Sequence, residues 1–224
     1  MNVLIACEFS GTMRREFHRR GHWAVSCDIL PSEEPWHGFN PWHYQGDIRE
    51  ILERRCRSFY EPLNRIQWDL LIAHPTCTRL CNSGRRWLYE GGRGTVINPV
   101  MWDAMLEGVA FYNLLWNADI PRIAVENPVM HDHARRLLGL AKGEVQFVQP
   151  WWFGEKAFKA TGFRLKNLPR LKPTNKLTPP KPGTDEHKKW SFIHRAAPKD
   201  DRWKLRSTTF PGIASACAEL WGST

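Results

Sequence analysis

The sequence predicts an α/β chain whose core is a mostly parallel sheet flanked by helices. Three observations carry this. Short, mostly apolar runs recur near residues 2–7, 22–29, 68–72, 121–128, 145–149 and 160–166, as expected of buried strands. Stretches of helical spacing separate several of them, at 13–17, 48–60 and 101–117. Polar groups stand directly at the ends of apolar runs, where ligands collect in open α/β sheets: Asp28 after the second run, Cys77 beyond the third, Glu126 at the end of the fourth.

The chain has 224 residues, enough for one domain with an appendage. No window approaches the ~20 apolar residues of a membrane span, and no basic-then-apolar leader precedes the first run, so the expected compartment is the cytoplasm. Cys7, Cys27, Cys56, Cys77, Cys81 and Cys217 show no Cys-x-x-Cys pairing, and no metal site is expected. The net charge of +9 is concentrated: residues 151–206 hold 15 basic and five acidic side chains, leaving the remainder close to neutral. A neutral body with one basic segment suits a polyanion held at one face. Twelve tryptophans, several beside basic or turn residues, suit stacking on bases next to phosphate contacts.

In order, residues 2–7 form the first strand, followed by Glu8-Phe9-Ser10-Gly11-Thr12 and a helix through Met13 and Phe17 that Ser10 or Thr12 can cap and Gly21 ends. The strand at 22–29 finishes on Asp28-Ile29. Strand, glycine turn, helix, strand and terminal acid make a nucleotide-type cofactor pattern, the acid accepting ribose hydroxyls. A lone Gly11 without a Gly-x-Gly pair argues against a pyrophosphate ligand and for S-adenosylmethionine, which has no phosphate. Residues 31–44 read as a loop in which His37 and His43 are scattered. Asp47 opens a helix running to about Tyr60.

The run 68–72 leads into Ile72-Ala73-His74-Pro75-Thr76-Cys77-Thr78-Arg79-Leu80-Cys81-Asn82-Ser83-Gly84. Arg85-Arg86-Trp87 and the glycines at 91, 92 and 94 follow as a mobile loop able to close over nucleic acid. A helix spans 101–117. The strand 121–128 ends on Glu126-Asn127, and adjacent parallel strands place Cys77 and Glu126 on one rim. Two more strands follow, at 145–149 and 160–166. From 169 to 198 six prolines and many lysines predict an extended basic segment rather than a second core. Residues 213–221 form a terminal helix.

Several of these stretches stand in the order of the motifs of DNA cytosine-5 methyltransferases. Glu8-Phe9-Ser10-Gly11 resembles the first, Asp28-Ile29 the second and Gly46-Asp47-Ile48 the third. The Cys77 loop, with Gly84 seven residues on, resembles the nucleophile motif, and Glu126-Asn127-Pro128 resembles Glu-Asn-Val. Phe153-Gly154 through Lys159 and Thr161 is similar to the aromatic-Gly stretch before Gln-x-Arg-x-Arg, and Pro211-Gly212-Ile213-Ala214 to the final segment beside the cofactor. The style is most similar to short phage and prophage proteins of this family.

The resemblance implies a Rossmann-like class I methyltransferase fold with a basic Pro-rich insertion. Residues 1–166 would be the catalytic core, 167–203 would stand in place of a target-recognition domain, and 204–224 would return to the core. It implies S-adenosylmethionine as cofactor, held by Phe9, Ser10, Gly11, Asp28, Ile29, Asp47 and Pro75. It implies DNA as partner, its cytosine flipped or single-stranded, held by Arg79, Arg85, Arg86, Trp87, Lys156, Lys172, Lys176, Lys188 and Lys189. Cys77 would be the nucleophile and Glu126 the group at N3, with Lys159 and Thr161 where the arginines stand. The sequence departs from the pattern at Thr76 and Thr78 beside the nucleophile and at Leu80-Cys81, where the family has an aromatic-Ser pair.

The chemistry accounts for these residue types. Cytosine C5 is a poor nucleophile until a thiolate adds at C6, which requires a cysteine of lowered pKa, as beside Arg79, Arg85 or a helix N-terminus. It also requires an acid at N3 to relieve ring charge, and the base must leave the duplex. Cys81 is a second thiol, deeper in the loop. The alternatives are an amino-methyltransferase reading of His74-Pro75-Thr76-Cys77, a different donor or a free-nucleotide substrate, and a catalytically silent DNA-binding relative.

Overall fold

The computed structural model describes residues 1–34, 40–92, 95–197 and 202–223. Its centre is a seven-stranded sheet made of β1 (Asn2–Ala6), β2 (Trp23–Asp28), β3 (His43–Gln45), β4 (Leu70–Ala73), β5 (Arg122–Asn127), β6 (Val145–Val148) and β7 (Thr161–Lys166). The spatial order is β3-β2-β1-β4-β5-β7-β6. The first five strands are mutually parallel, and β7 runs antiparallel to both β5 and β6. The order reverses between β1 and β4, so the exits of β1 and β4 flank a crevice, the usual place for a ligand in such sheets.

Alternation along each strand sends successive side chains to opposite faces, which gives two cores. Leu4, Val25, Leu71, Ile123 and Val125 pack beneath α2 (Ile48–Leu52), α3 (Pro99–Trp116) and α4 (Asp132–Leu137). Val3, Ile5, Ala24, Ile72, Ala124 and Phe163 pack beneath α1 (Thr12–Arg19) and α8 (Pro211–Gly222). The sheet is thus flanked by helices on both faces, as the apolar runs predict. The long helix forms because the Asn98 side chain accepts the Met101 N–H and Pro99 sits in the first turn, while Met105, Val109, Tyr112 and Leu115 form its buried stripe.

Three expectations need correction. The helix expected to run from 48 to about 60 stops at Leu52. Arg54 adopts a left-handed φ of 57°, and the Cys56 N–H donates to the Asn64 side chain instead of to a helical carbonyl. A separate 3-10 turn then spans Ser58–Arg65. The loop expected at 31–44 ends in β3, because His43 is buried, with Nδ1 2.9 Å from the Ser26 hydroxyl and Nε2 3.0 Å from the Leu30 carbonyl. Trp36 and His37 lie outside the described residues. The basic segment is not extended throughout: it contains α5 (Asp185–Trp190) and α6 (Phe192–Arg195), and α7 (Arg202–Ser207) follows it. Thr184 caps α5 by accepting the His187 N–H, and Trp190 and Ile193 are buried. Among the described residues, no helix is long and apolar enough to cross a membrane.

Candidate active site

The exits of β1, β2 and β3 form one half of the rim. At the end of β1 the chain turns sharply through Cys7, whose φ is 59°, and Gly11, whose φ is 68°. Glu8, only 4% exposed, reaches over to the start of α1, where its carboxylate accepts the N–H groups of Met13 at 2.6 Å and Arg14 at 3.3 Å. The helix cap expected from Ser10 or Thr12 is therefore mainly Glu8; Ser10 takes only the Thr12 N–H, at 3.3 Å. Burial raises the Glu8 carboxyl above its ordinary value, against the pull of His74 and of these N–H donors. Arg14 and Arg15 do not face a ligand; both pair with Glu34.

Asp28 ends β2 half-buried, with one oxygen accepting the Leu30 N–H at 2.9 Å, and burial raises its carboxyl. Beside it Ile29 is 74% exposed, an apolar side chain at the mouth of a cleft. Asp47 caps α2 by accepting the Arg49 N–H at 2.9 Å and pairs with the Arg49 guanidinium at 2.7 Å. Cys7 lies within the field of both carboxylates: its thiol is pushed up to about 12 by burial, then by Asp28 and Asp47. Phe9 is buried against Trp203 of α7, ring centroids 5.5 Å apart. Lys204 on the same helix lies 3.6 Å from Glu33. Seven sequence-predicted cofactor residues thus occupy the rim, six of them on the β1–β3 side and Pro75 buried at the β4 exit.

The β4 and β5 exits form the other half. Their parallel register, Ala73 opposite Val125, sets His74 beside Glu126, with Nδ1 3.4 Å from Oε2. Cys77 stands in the following turn. Its thiol is held above the ordinary cysteine value by a hydrogen bond to Cys81, then by burial and the Glu126 carboxylate, with Lys159 pulling the other way. Lys159, mostly desolvated, is correspondingly lowered by burial, while Glu126 and Cys77 raise it and Arg206 of α7 lowers it. Its ammonium donates to the Thr208 carbonyl at 2.9 Å. Thiol, carboxylate and ammonium therefore lie within one another's electrostatic reach at the β4 and β5 exits. Thr161, at the start of β7 and level with the end of β5, is buried and its hydroxyl donates to the Lys159 carbonyl at 3.2 Å.

The source of cysteine activation differs from the sequence expectation. Arg85 is exposed and pairs with Asp132 at 3.2 Å, and the helical turn begins at Asn82, beyond Cys81, rather than at Cys77. Gly84 lets this turn close: a Cβ there would lie 2.0 Å from the Thr78 carbonyl.

The predicted polyanion contacts lie around this rim but not in it. Arg86 sits over the exposed Trp87 ring, 4.4 Å from its centroid, and the Arg79 carbonyl is held by His131 Nε2 at 2.8 Å. Lys156, Lys172, Lys176, Lys188 and Lys189 are all exposed; Lys176 lies over Trp151 and Lys188 pairs with Asp185. The stretch expected as a mobile loop is, where described, two 3-10 turns pinned by a Tyr89–Ile97 bridge and by Tyr89 Oη 2.8 Å from His133 Nε2. Arg93 and Gly94 lie outside the described residues.

Sequence reasoning gave no role to Glu8, His74 or α7. Glu8 and His74 were legible as ionisable groups at strand exits; Trp203 and Arg206 carried no signal, since their contacts lie nearly 200 and about 50 residues away in sequence.

No family model matches the chain, and no curated protein does. Among solved structures, a presumed DNA modification methyltransferase encoded within an E. coli prophage is similar at 16% identity and a TM-score of 0.42, over 74% of this chain and 46% of that one. This chain spans less than half the length of that protein.

Proposed function

We propose that the protein transfers a methyl group from S-adenosylmethionine to C5 of cytosine in DNA, through a covalent bond from Cys77 to C6. The observation that carries this reading is the convergence of the Cys77 thiol, the Glu126 carboxylate and the Lys159 ammonium at the β4 and β5 exits.

The β1–β3 half fits a nucleoside cofactor without phosphate. Asp28, partly desolvated and with only one oxygen held by the Leu30 N–H, suits ribose hydroxyls. The exposed Ile29 suits a purine face, and Asp47 a neighbouring amine. The first N–H groups of α1, which would otherwise attract phosphate, already bind Glu8. When bound, the cofactor supplies an electrophilic sulfonium methyl.

The chain's own groups do the rest. Cys77 adds to C6 and gives C5 the character of an enamine carbon. Glu126 holds the proton at N3, so charge pushed into the ring by the sulfur is neutralised where it develops. Lys159, fixed by the Thr208 carbonyl, presents a cation to the same ring from the position where the resembled family has arginine. His74 steadies Glu126 from the side. Removal of the C5 proton then expels the Cys77 sulfur. The target base has to leave the duplex to reach this pocket. The exposed lysines between 156 and 189, with Arg85, Arg86 and Trp87, would hold the backbone, and residues 167–203 would take the place of a target-recognition domain.

The test is nucleoside mass spectrometry of DNA incubated with the protein and methyl-labelled S-adenosylmethionine, beside Cys77→Ala. Labelled 5-methylcytosine with the unaltered protein only is expected. A label on an exocyclic amine would replace the cytosine-5 reading with an amino-methyltransferase. No modified base would replace it with another donor, a nucleotide substrate or a DNA-binding role.

A further inference from the structure

We propose that Trp203 is a positioning residue for the reaction: it seats α7 on the cofactor half of the rim, and the other end of α7 sets where the Lys159 ammonium stands in the reacting half. The inference rests on the reading of Lys159 as a cation presented to the base.

None of the residues of α7 is buried, so the helix is held by its edge contacts and not by the core. Two of these contacts lie on the loops that would hold the cofactor. The half-exposed Trp203 ring packs on the buried Phe9, with centroids 5.5 Å apart and ring planes at 49°. Lys204 lies 3.6 Å from Glu33. The two loops are themselves joined, because the Glu33 N–H donates to the Phe9 carbonyl at 2.9 Å. An exposed ion pair contributes little, whereas a packed aromatic pair is worth more than the area it covers. Trp203 is therefore the main fastening.

The other end of α7 reaches the reacting half. The Thr208 N–H and hydroxyl both donate to the Lys204 carbonyl, at 3.0 and 2.8 Å, so the last turn of the helix fixes the plane of Thr208. The Thr208 carbonyl takes the Lys159 ammonium at 2.9 Å. The backbone of Lys159 is anchored separately, its N–H donating to the Gln149 side chain at 3.2 Å. The lysine is thus fixed at its root from the end of β6 and at its charged end from α7.

Facing that charged end are Glu126, Cys77 and, from α7 itself, Arg206. With α7 seated, the ammonium is shared between the Thr208 carbonyl and the field of Glu126. With α7 displaced, it loses the carbonyl and gains solvent. Cys77 and Glu126 stand on the β4 and β5 exits and keep their places, so the effect of Trp203 is confined to the cation.

The experiment is acetylation of Lys159 by an N-hydroxysuccinimide ester at fixed pH, read peptide by peptide by mass spectrometry, for the full chain and for Trp203→Ala, Trp203→Leu and Trp203→Phe. Lys159 is expected to react about two- to tenfold faster in Trp203→Ala, the range of one aromatic pair, while the exposed Lys172 reacts unchanged. Trp203→Phe, which keeps a ring against Phe9, is expected to restore the slower rate. Trp203 is half-exposed, so unaltered circular dichroism is expected; Trp203→Leu keeps apolar bulk against Phe9 and is expected to give an intermediate rate if the smaller residue disturbs the fold. An equal or slower rate in Trp203→Ala and Trp203→Leu would overturn the proposal, and so would a Trp203→Phe chain as fast as Trp203→Ala. At saturating donor Trp203→Ala is expected to lower kcat, but to lower it no further in a chain that already carries Lys159→Met. A further loss there would also overturn positioning through Lys159. Acetylation needs neither DNA nor donor. Absence of 5-methylcytosine would therefore count against the proposed reaction alone, and an unchanged acetylation rate in an active enzyme against the positioning role alone.

Discussion

The two halves of the rim differ in how their carboxylates are held. On the β1–β3 side each carboxylate already has a partner: Glu8 holds the start of α1, Asp28 holds Leu30, and Asp47 holds Arg49. On the β4–β5 side Glu126 faces His74 at 3.4 Å; buried polar atoms without a protein partner occur on both sides, Nε of Arg14 and Nδ2 of Asn40 near the first, Nε2 of His74 and both side-chain amide atoms of Asn127 on the second. Leaving such atoms unpaired costs about 1–3 kcal/mol each. On the proposed reading the β4–β5 half is the one that reacts, and its unpaired groups stay available to a substrate.

This contrast can be broken at several points. Cys77→Ser should lower methyl transfer by about a thousandfold or more, roughly 4 kcal/mol, while cofactor binding by calorimetry stays unchanged; turnover within tenfold of the unaltered protein would end the covalent mechanism. Glu126→Gln should cost about 10²–10³ in kcat, again with cofactor affinity intact. If it instead weakened the cofactor, the two halves would not be separable. Replacing Lys172, Lys176, Lys188 and Lys189 together with Gln should flatten the salt dependence of DNA binding, by roughly one unit of slope for each phosphate left unneutralised. An unchanged slope would take the basic segment out of the interface.

Smaller effects sharpen the same comparison. Asp28→Asn should weaken S-adenosylmethionine about tenfold with little change in kcat at saturation, the reverse of the Glu126 pattern. Lys159→Met should slow turnover yet raise the melting temperature by about 2–4 °C, because a desolvated ammonium is removed. The sign follows from burial lowering Lys159 in the folded state. The unfolded chain binds more protons between the folded and unfolded values, so native stability rises with pH across that interval. The variant's advantage should be full below the folded value and shrink as pH climbs through it; an advantage independent of pH would show that Lys159 is not desolvated.

The strands were legible because the centre of a strand buried on both faces has to be apolar, and 3–6, 70–73 and 123–125 are. The pairing of Cys77 with Glu126 was legible for the same reason, since two adjacent parallel strands leave no other place for their exits. β3 was not, because three residues carry too little periodicity and its anchor is the His43–Ser26 contact. The early stop of α2 depends on Asn64 reaching back to Cys56, a contact between stretches whose local pattern is helical. The cap of α5 was present in the sequence as Thr184 followed by Asp185 and Glu186, but the prolines and lysines around it dominate any reading by composition.

The carboxylate of Glu8 has a consequence for discrimination among metabolites. A helix start next to a strand exit ordinarily invites phosphate, and a cell contains far more adenine nucleotides than most other nucleosides. Here the inviting N–H groups are already held by a carboxyl group anchored in the chain, and Arg14 and Arg15 of the same helix are held by Glu34. On the proposed reading, a phosphorylated competitor would have to displace a resident carboxyl group, so the landing place for phosphate is occupied in advance.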